Sequence, residues 1–175
     1  MLSVSGGSIV ANVATVTGAT IRAGGQFSLV SLSRDNAIAD ADAGTSIQLV
    51  GIGAVITIAW IDSTSTATLG DDNFVRTGSL VILSTADELA SASAQANSGG
   101  LVGGSGNFAT IIVKPVVTAS TGLRSDIRTS GSIEISAALT PETSARVNGV
   151  SIGALTVGVS ESSITLTPTV TASIG

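Results

Sequence analysis

Gly25-Gln26-Phe27-Ser28-Leu29, Gly78-Ser79-Leu80-Val81-Ile82 and Gly131-Ser132-Ile133-Glu134-Ile135 are three versions of one phrase, a glycine followed by a short apolar strand. Their glycines stand 53 and 53 residues apart. A second set, Gly18, Gly70, Gly122 and Gly175, recurs at 52, 52 and 53. Self-similarity at a long fixed period predicts stacked units, each sheltering its apolar face against the next. The units are 1–18 (partial), 19–70, 71–122 and 123–175.

Every unit reads alike. A long strand (54–69 in the middle copy; 106–121 and 159–174 in the later ones) runs into a turn, clearest at Gly70-Asp71-Asp72-Asn73. Gly, Asp and Asn favour turns because they tolerate or stabilise tight backbone. A short apolar anchor follows, at Ile21, Phe74 or Ile127. Next come the Phe27/Leu29, Leu80/Ile82 and Ile133/Ile135 strands. Alanines then recur at 37, 39, 41, 43 and at 90, 92, 94, 96. That period of two predicts a strand with small inward residues; a helix would need spacings of three and four. Glycines at 44, 99–100 and 149 are read as links to the next long strand.

Aligned on the period, the long strands predict inward columns. These are Ile9/Ile61/Val113/Leu166, Gly7/Ala59/Ile111/Ile164, Val13/Ser65/Val117/Val170 and Thr15/Ala67/Ala119/Ala172. Every second residue faces the same way, as a pleated strand requires. Pro115 and Pro168 share a column with Ser63 and predict a bend or bulge, since proline cannot donate to a ladder. The expected fold is all-β: a parallel β-solenoid (β-helix) of about three 52–53-residue repeats. Two coils per repeat would give a rod on the order of 30 Å long. An antiparallel β-sandwich is the alternative, but it leaves the constant period unexplained.

Composition narrows function. Hydrophobic residues are 43% but aromatics only 2%, which calls for a thin core of closely packed backbones. Charged residues are 11%, against roughly a quarter in ordinary domains. A net charge of −5, a single lysine and dispersed arginines argue against nucleic acid and anionic membrane surfaces. No stretch is long and apolar enough for a membrane helix. Histidine and cysteine are absent, which removes the usual bases, nucleophilic triads, disulfides and thiolate metal sites. No cofactor or enzyme activity is expected. Asp71 and Asp72 are turn residues before they are calcium ligands, since Leu123-Arg124-Ser125-Asp126 replaces them one repeat later. Gly99–Gly106 opens no helix and lacks the lysine of a phosphate loop. The threonine row 165, 167, 169, 171 meets Lys114 and Asp62 in other copies, which spoils any ice-matching array.

The outward face of the long strand remains. Ile52, Ile56, Ile58 and Trp60 share one parity; Phe108 and Ile112 answer them, then Leu155, Val157 and Val159. The expectation is that a second sheet within the chain covers this stripe. The alternative is a lateral contact surface for a partner, in which Ile56, Ile58, Trp60, Phe108, Ile112, Val157 and Val159 take part.

With these columns in view, the chain resembles the β-strand repeats of giant bacterial surface proteins, the haemagglutinin-like adhesins. The residues that carry the resemblance are Ala19-Thr20-Ile21-Arg22-Ala23-Gly24-Gly25-Gln26-Phe27-Ser28-Leu29 with Ala37-Ile38-Ala39-Asp40-Ala41, and Val50-Gly51-Ile52-Gly53-Ala54-Val55. It implies a secreted repeat rod, extracellular or at the cell surface, used for adhesion or filament formation. Its expected partners are neighbouring repeats or further copies of the chain. A glycan- or protein-binding module using the apolar stripe is the second expectation. With no signal segment and an end on the repeat phase at Gly175, the chain reads as a slice of a longer array.

Overall fold

The computed structural model describes residues 2–5, 9–47 and 49–175. They form twelve strands: β1 (Leu2–Ser5), β2 (Ile9–Val16), β3 (Thr20–Arg22), β4 (Gln26–Ile47), β5 (Val50–Leu69), β6 (Phe74–Thr77), β7 (Ser79–Gly99), β8 (Val102–Thr121), β9 (Asp126–Thr129), β10 (Ile133–Ile152), β11 (Leu155–Leu166) and β12 (Thr169–Ser173). Three parallel sheets result. A front sheet holds β1 and β2 against β5, then β8, then β11 and β12. A back sheet runs β4-β7-β10, and a short corner sheet runs β3-β6-β9. Front and back strands pack face to face.

The period is the register. Leu80 pairs with Phe27 and Ile133, and Ile82 with Leu29 and Ile135. Val113 pairs with Ile61 and Leu166, and Ile111 with Ala59 and Ile164. Every pairing among the described residues is parallel, which overturns the antiparallel sandwich. The expectation of two coils per repeat also fails. The phrase strand and the alanine strand are one continuous strand of 20 to 22 residues, so one circuit of the three sheets consumes the whole repeat. With layers about 4.8 Å apart, the stack of three to four layers is on the order of 10–15 Å thick, not 30 Å. Gly44 and Gly149 accordingly lie inside β4 and β10 rather than in links. Beside Gly44, the β4 register shifts by one between Ala43 and Ser46.

The first copy departs from the expected alignment. Ile9 pairs with Asp62 and Val13 with Thr66, one residue off the expected Ile61 and Ser65. A one-residue slip turns every side chain to the opposite face. Val13 is thus 63% exposed, Thr15 points out, and Val16 packs against the core instead. The cause is the following turn: three residues separate β2 from β3, but four separate β5 from β6. Gly18 consequently sits opposite Asp71 rather than Gly70, and its amide donates to the Asp71 carbonyl. Gly7 lies outside the described residues. The anchor column also shifts: Ile21 pairs with Val75 and then Ile127, so fully buried Val75, not Phe74, is the middle anchor.

The prolines produce no bulge. β8 keeps its register with β5 through Pro115. Only the last copy breaks, at Thr167-Pro168 between β11 and β12, and the same register resumes beyond it.

The core is thin because its large residues face alanines. Ala37, Ala39, Ala41 and Ala90, Ala92, Ala94, Ala96 on the back sheet meet Val55, Ala59, Ile61, Ile111 and Val113 on the front. A second cluster, with Leu69, Val75, Leu80 and Ile82, fills the corner end. Between the two clusters lies a polar belt. Ser31 and Ser84 meet Ser65, Ser33 donates to Asp35 at 2.8 Å, and Ser63 donates to Glu88. The repeat-marking glycines are close approaches: a Cβ at Gly78 would sit 2.9 Å from the Gly25 carbonyl oxygen, and one at Gly131 would sit 2.8 Å from that of Gly78.

Candidate interaction surface

The apolar stripe lies on the outer face of the front sheet, and no other element of the described chain covers it. The expected internal cover is therefore absent: the back sheet packs only on the opposite, inward face, where Val55, Ala59 and Ile61 are fully buried. Ile56 is 40% exposed, Trp60 38%, Val157 66% and Val159 54%; Ile58, Phe108 and Ile112 are half-buried. The register sets their neighbours. Trp60 lies beside Ile112, and Ile56 beside Phe108. Val157 lies beside Gly104, and Val159 beside Gly106. The stripe thus continues across layers at Ile56/Phe108 and Trp60/Ile112. It thins to glycine between Ile52 and Val157. In the last layer Phe108 and Ile112 meet Glu161 and Thr165, so the stripe ends on polar side chains there.

At the corner, the turns are held from layer to layer. Asn73 is buried; its side-chain amide donates to the carbonyls of Gly70 (2.6 Å) and Val16 (3.3 Å), and its oxygen accepts from the Ala19 amide at 2.9 Å. Asp71 accepts from the Leu123 amide at 2.8 Å. Arg124 grips Asp72 through two hydrogen bonds of 2.7 and 2.9 Å, which hold the Asp72 carboxyl below its ordinary range. The acidic pair expected in this turn is thus engaged with the next layer. No group of three or more metal-ligating side chains occurs among the described residues.

Sequence reasoning missed two arrangements. The arginines it took as dispersed include a column: Arg22 pairs with Arg76, and Arg76 with Arg128, on the outer side of the corner sheet. Spacings of 54 and 52 residues carried that signal. Arg76 lies over the Phe74 ring at 5.2 Å, and Arg128 holds Asp126 at 2.9 and 2.8 Å. The second arrangement is Asp35 beside Glu88, in register and both buried. Burial raises the Glu88 carboxyl above its ordinary range; the Ser63 hydrogen bond opposes this, and the negative charges of Asp35 and Asp87 add to it. One Glu88 oxygen, Oε2, has no hydrogen-bond partner among the described residues.

Comparison of the chain with family models, curated proteins and solved structures finds no match.

Proposed function

We propose that this chain is a β-solenoid segment of a structural protein that works by adding layers edge to edge. The observation that carries this reading is a contrast within single columns. Leu80, Ile111 and Val117 are fully buried, whereas their last-layer partners Ile133, Ile164 and Val170 are 48%, 48% and 46% exposed. Another layer of the same kind would bury these side chains and pair the open backbone edge of β10, β11 and β12. Completing the burial of such half-exposed side chains contributes on the order of 1 kcal/mol each. The low charge and the Thr- and Ser-rich composition suit a secreted rod or filament at a bacterial surface, as in haemagglutinin-like adhesins.

The Trp60/Ile112 and Ile56/Phe108 stripe supports a second reading, lateral binding of a protein or glycan partner. Electron microscopy and size-exclusion of the purified chain at micromolar concentration separate the two. Filaments or ladders of oligomers are expected from edge stacking; a monodisperse monomer would contradict it.

A further inference from the structure

We propose that the arginine column on the corner sheet is a binding site for an acidic polysaccharide, a polymer carrying a carboxylate on successive sugars. The inference does not rest on edge stacking. Three like charges in register are mutually repulsive, so their alignment in a chain of net charge −5 calls for an anion to offset them. The chain supplies only part of it. Asp126 pairs with Arg128, while neither Arg22 nor Arg76 forms an ion pair among the described residues. The three side chains line one open groove of about 630 Å³ that crosses all three layers.

The geometry selects the ligand class. Neighbouring strands repeat at about 4.8 Å, so the column presents a cation at each step of a length comparable to one sugar ring. A guanidinium matches a carboxylate in a two-point fork. Besides the arginines, the groove is lined by Thr77, Thr129 and Ser130, by Gly24 and Gly78, and by the one apolar side chain of Ala23. The Thr77 hydroxyl is buried between the carbonyls of Gly25 and Ser79, and that of Thr129 donates to the Gly131 carbonyl, so Ser130 supplies the exposed hydroxyl of the groove. The one aromatic ring nearby, Phe74, is taken up by Arg76. No stacking platform remains for nucleobases, which single-stranded nucleic acid would require.

The test uses the full chain and immobilised polygalacturonate, with neutral dextran and oligo(dT) as comparisons, at low and physiological salt. Binding to polygalacturonate, weakened by salt and absent on dextran, is expected. Arg22→Gln with Arg76→Gln should lower affinity at least tenfold. Arg34→Gln with Arg146→Gln, which removes the same charge from the back sheet, should lower it by less than about twofold. Asp126→Asn frees Arg128 and should tighten binding several-fold. Circular dichroism confirms that the exposed substitutions leave the fold intact. No binding, equal loss from both arginine pairs, or tighter binding to oligo(dT) would each overturn the proposal.

Discussion

Asp72 and Arg124 occupy the same position in successive layers, both adopt left-handed backbone (φ 58° and 57°), and each holds the other through a two-point hydrogen bond. The corner turn therefore needs one left-handed residue per layer; in the first layer Gly18 (φ 62°) fills that role. Glycine takes this conformation without the steric cost that other L-residues bear. At 124, conformational relief and the ion pair can be separated. Arg124→Ala loses the pair and keeps the strained backbone, whereas Arg124→Gly loses the pair and relieves the backbone. The glycine variant should melt above the alanine variant by about 2–4 °C in thermal denaturation.

The Glu88 carboxyl sets a pH dependence of definite sign. Its pKa is raised on folding above the ordinary 4.5, so the folded chain holds that proton more tightly than the unfolded one. Its contribution favours the folded state most below the unfolded pKa and is lost as pH rises through the folded value. Asp72 and Asp126, held low by their arginine partners, act oppositely: their stabilisation is present above 3.8 and lost as pH falls through their folded values. Glu88→Gln removes the buried charge but leaves a polar atom at the same unpartnered position, so it should raise stability at neutral pH through the lost desolvation of the charge and flatten the loss of stability between pH 4.5 and neutrality. Urea denaturation of both proteins across that range is the measurement; an unchanged slope would contradict the assignment.

Alanine at the centre of the back sheet is a spacing device. Ala92 is fully buried between Ala39 and Ala145 and faces the branched residues of the front sheet. Ala92→Ile should overpack the interface and cost about 1–3 kcal/mol. Ser93→Val, one residue along and pointing outward, should change stability by less than about 0.5 kcal/mol.

The corner glycines make a similar contrast. Gly78→Ala brings a Cβ within 2.9 Å of the Gly25 carbonyl oxygen, while a Cβ at Gly24 meets nothing within 4 Å. Gly78→Ala should destabilise by about 1–3 kcal/mol; Gly24→Ala should be neutral or stabilising by about 0.5 kcal/mol through the unfolded state.

The repeat period, the inward alanines and the columns through Ile61, Ile82 and Ala119 were legible because each depends on local alternation and spacing alone. The first-layer slip was not, since Val13 and Val16 are equally apolar and only the shorter turn decides which faces in. Two coils per repeat rested on counting the phrase strand and the alanine strand separately, whereas β4, β7 and β10 run through both without a turn. The stripe was legible as apolar, but its exposure depends on where the back sheet packs. The arginine column needed a register shifted by one residue in the first copy, which no glycine marks.

The central claim is that residues a full repeat apart are direct neighbours. Thr68 and Ser120 are register partners whose hydroxyl oxygens lie 3.1 Å apart, and the chain has no cysteine to interfere. Parallel neighbours about 4.8 Å apart fall within the range that a disulfide spans. Thr68→Cys with Ser120→Cys, oxidised in dilute solution, should form an intramolecular disulfide seen by non-reducing mass spectrometry. Thr68→Cys with Gln95→Cys, half a repeat apart, should not. A disulfide in the second pair and none in the first would contradict the account.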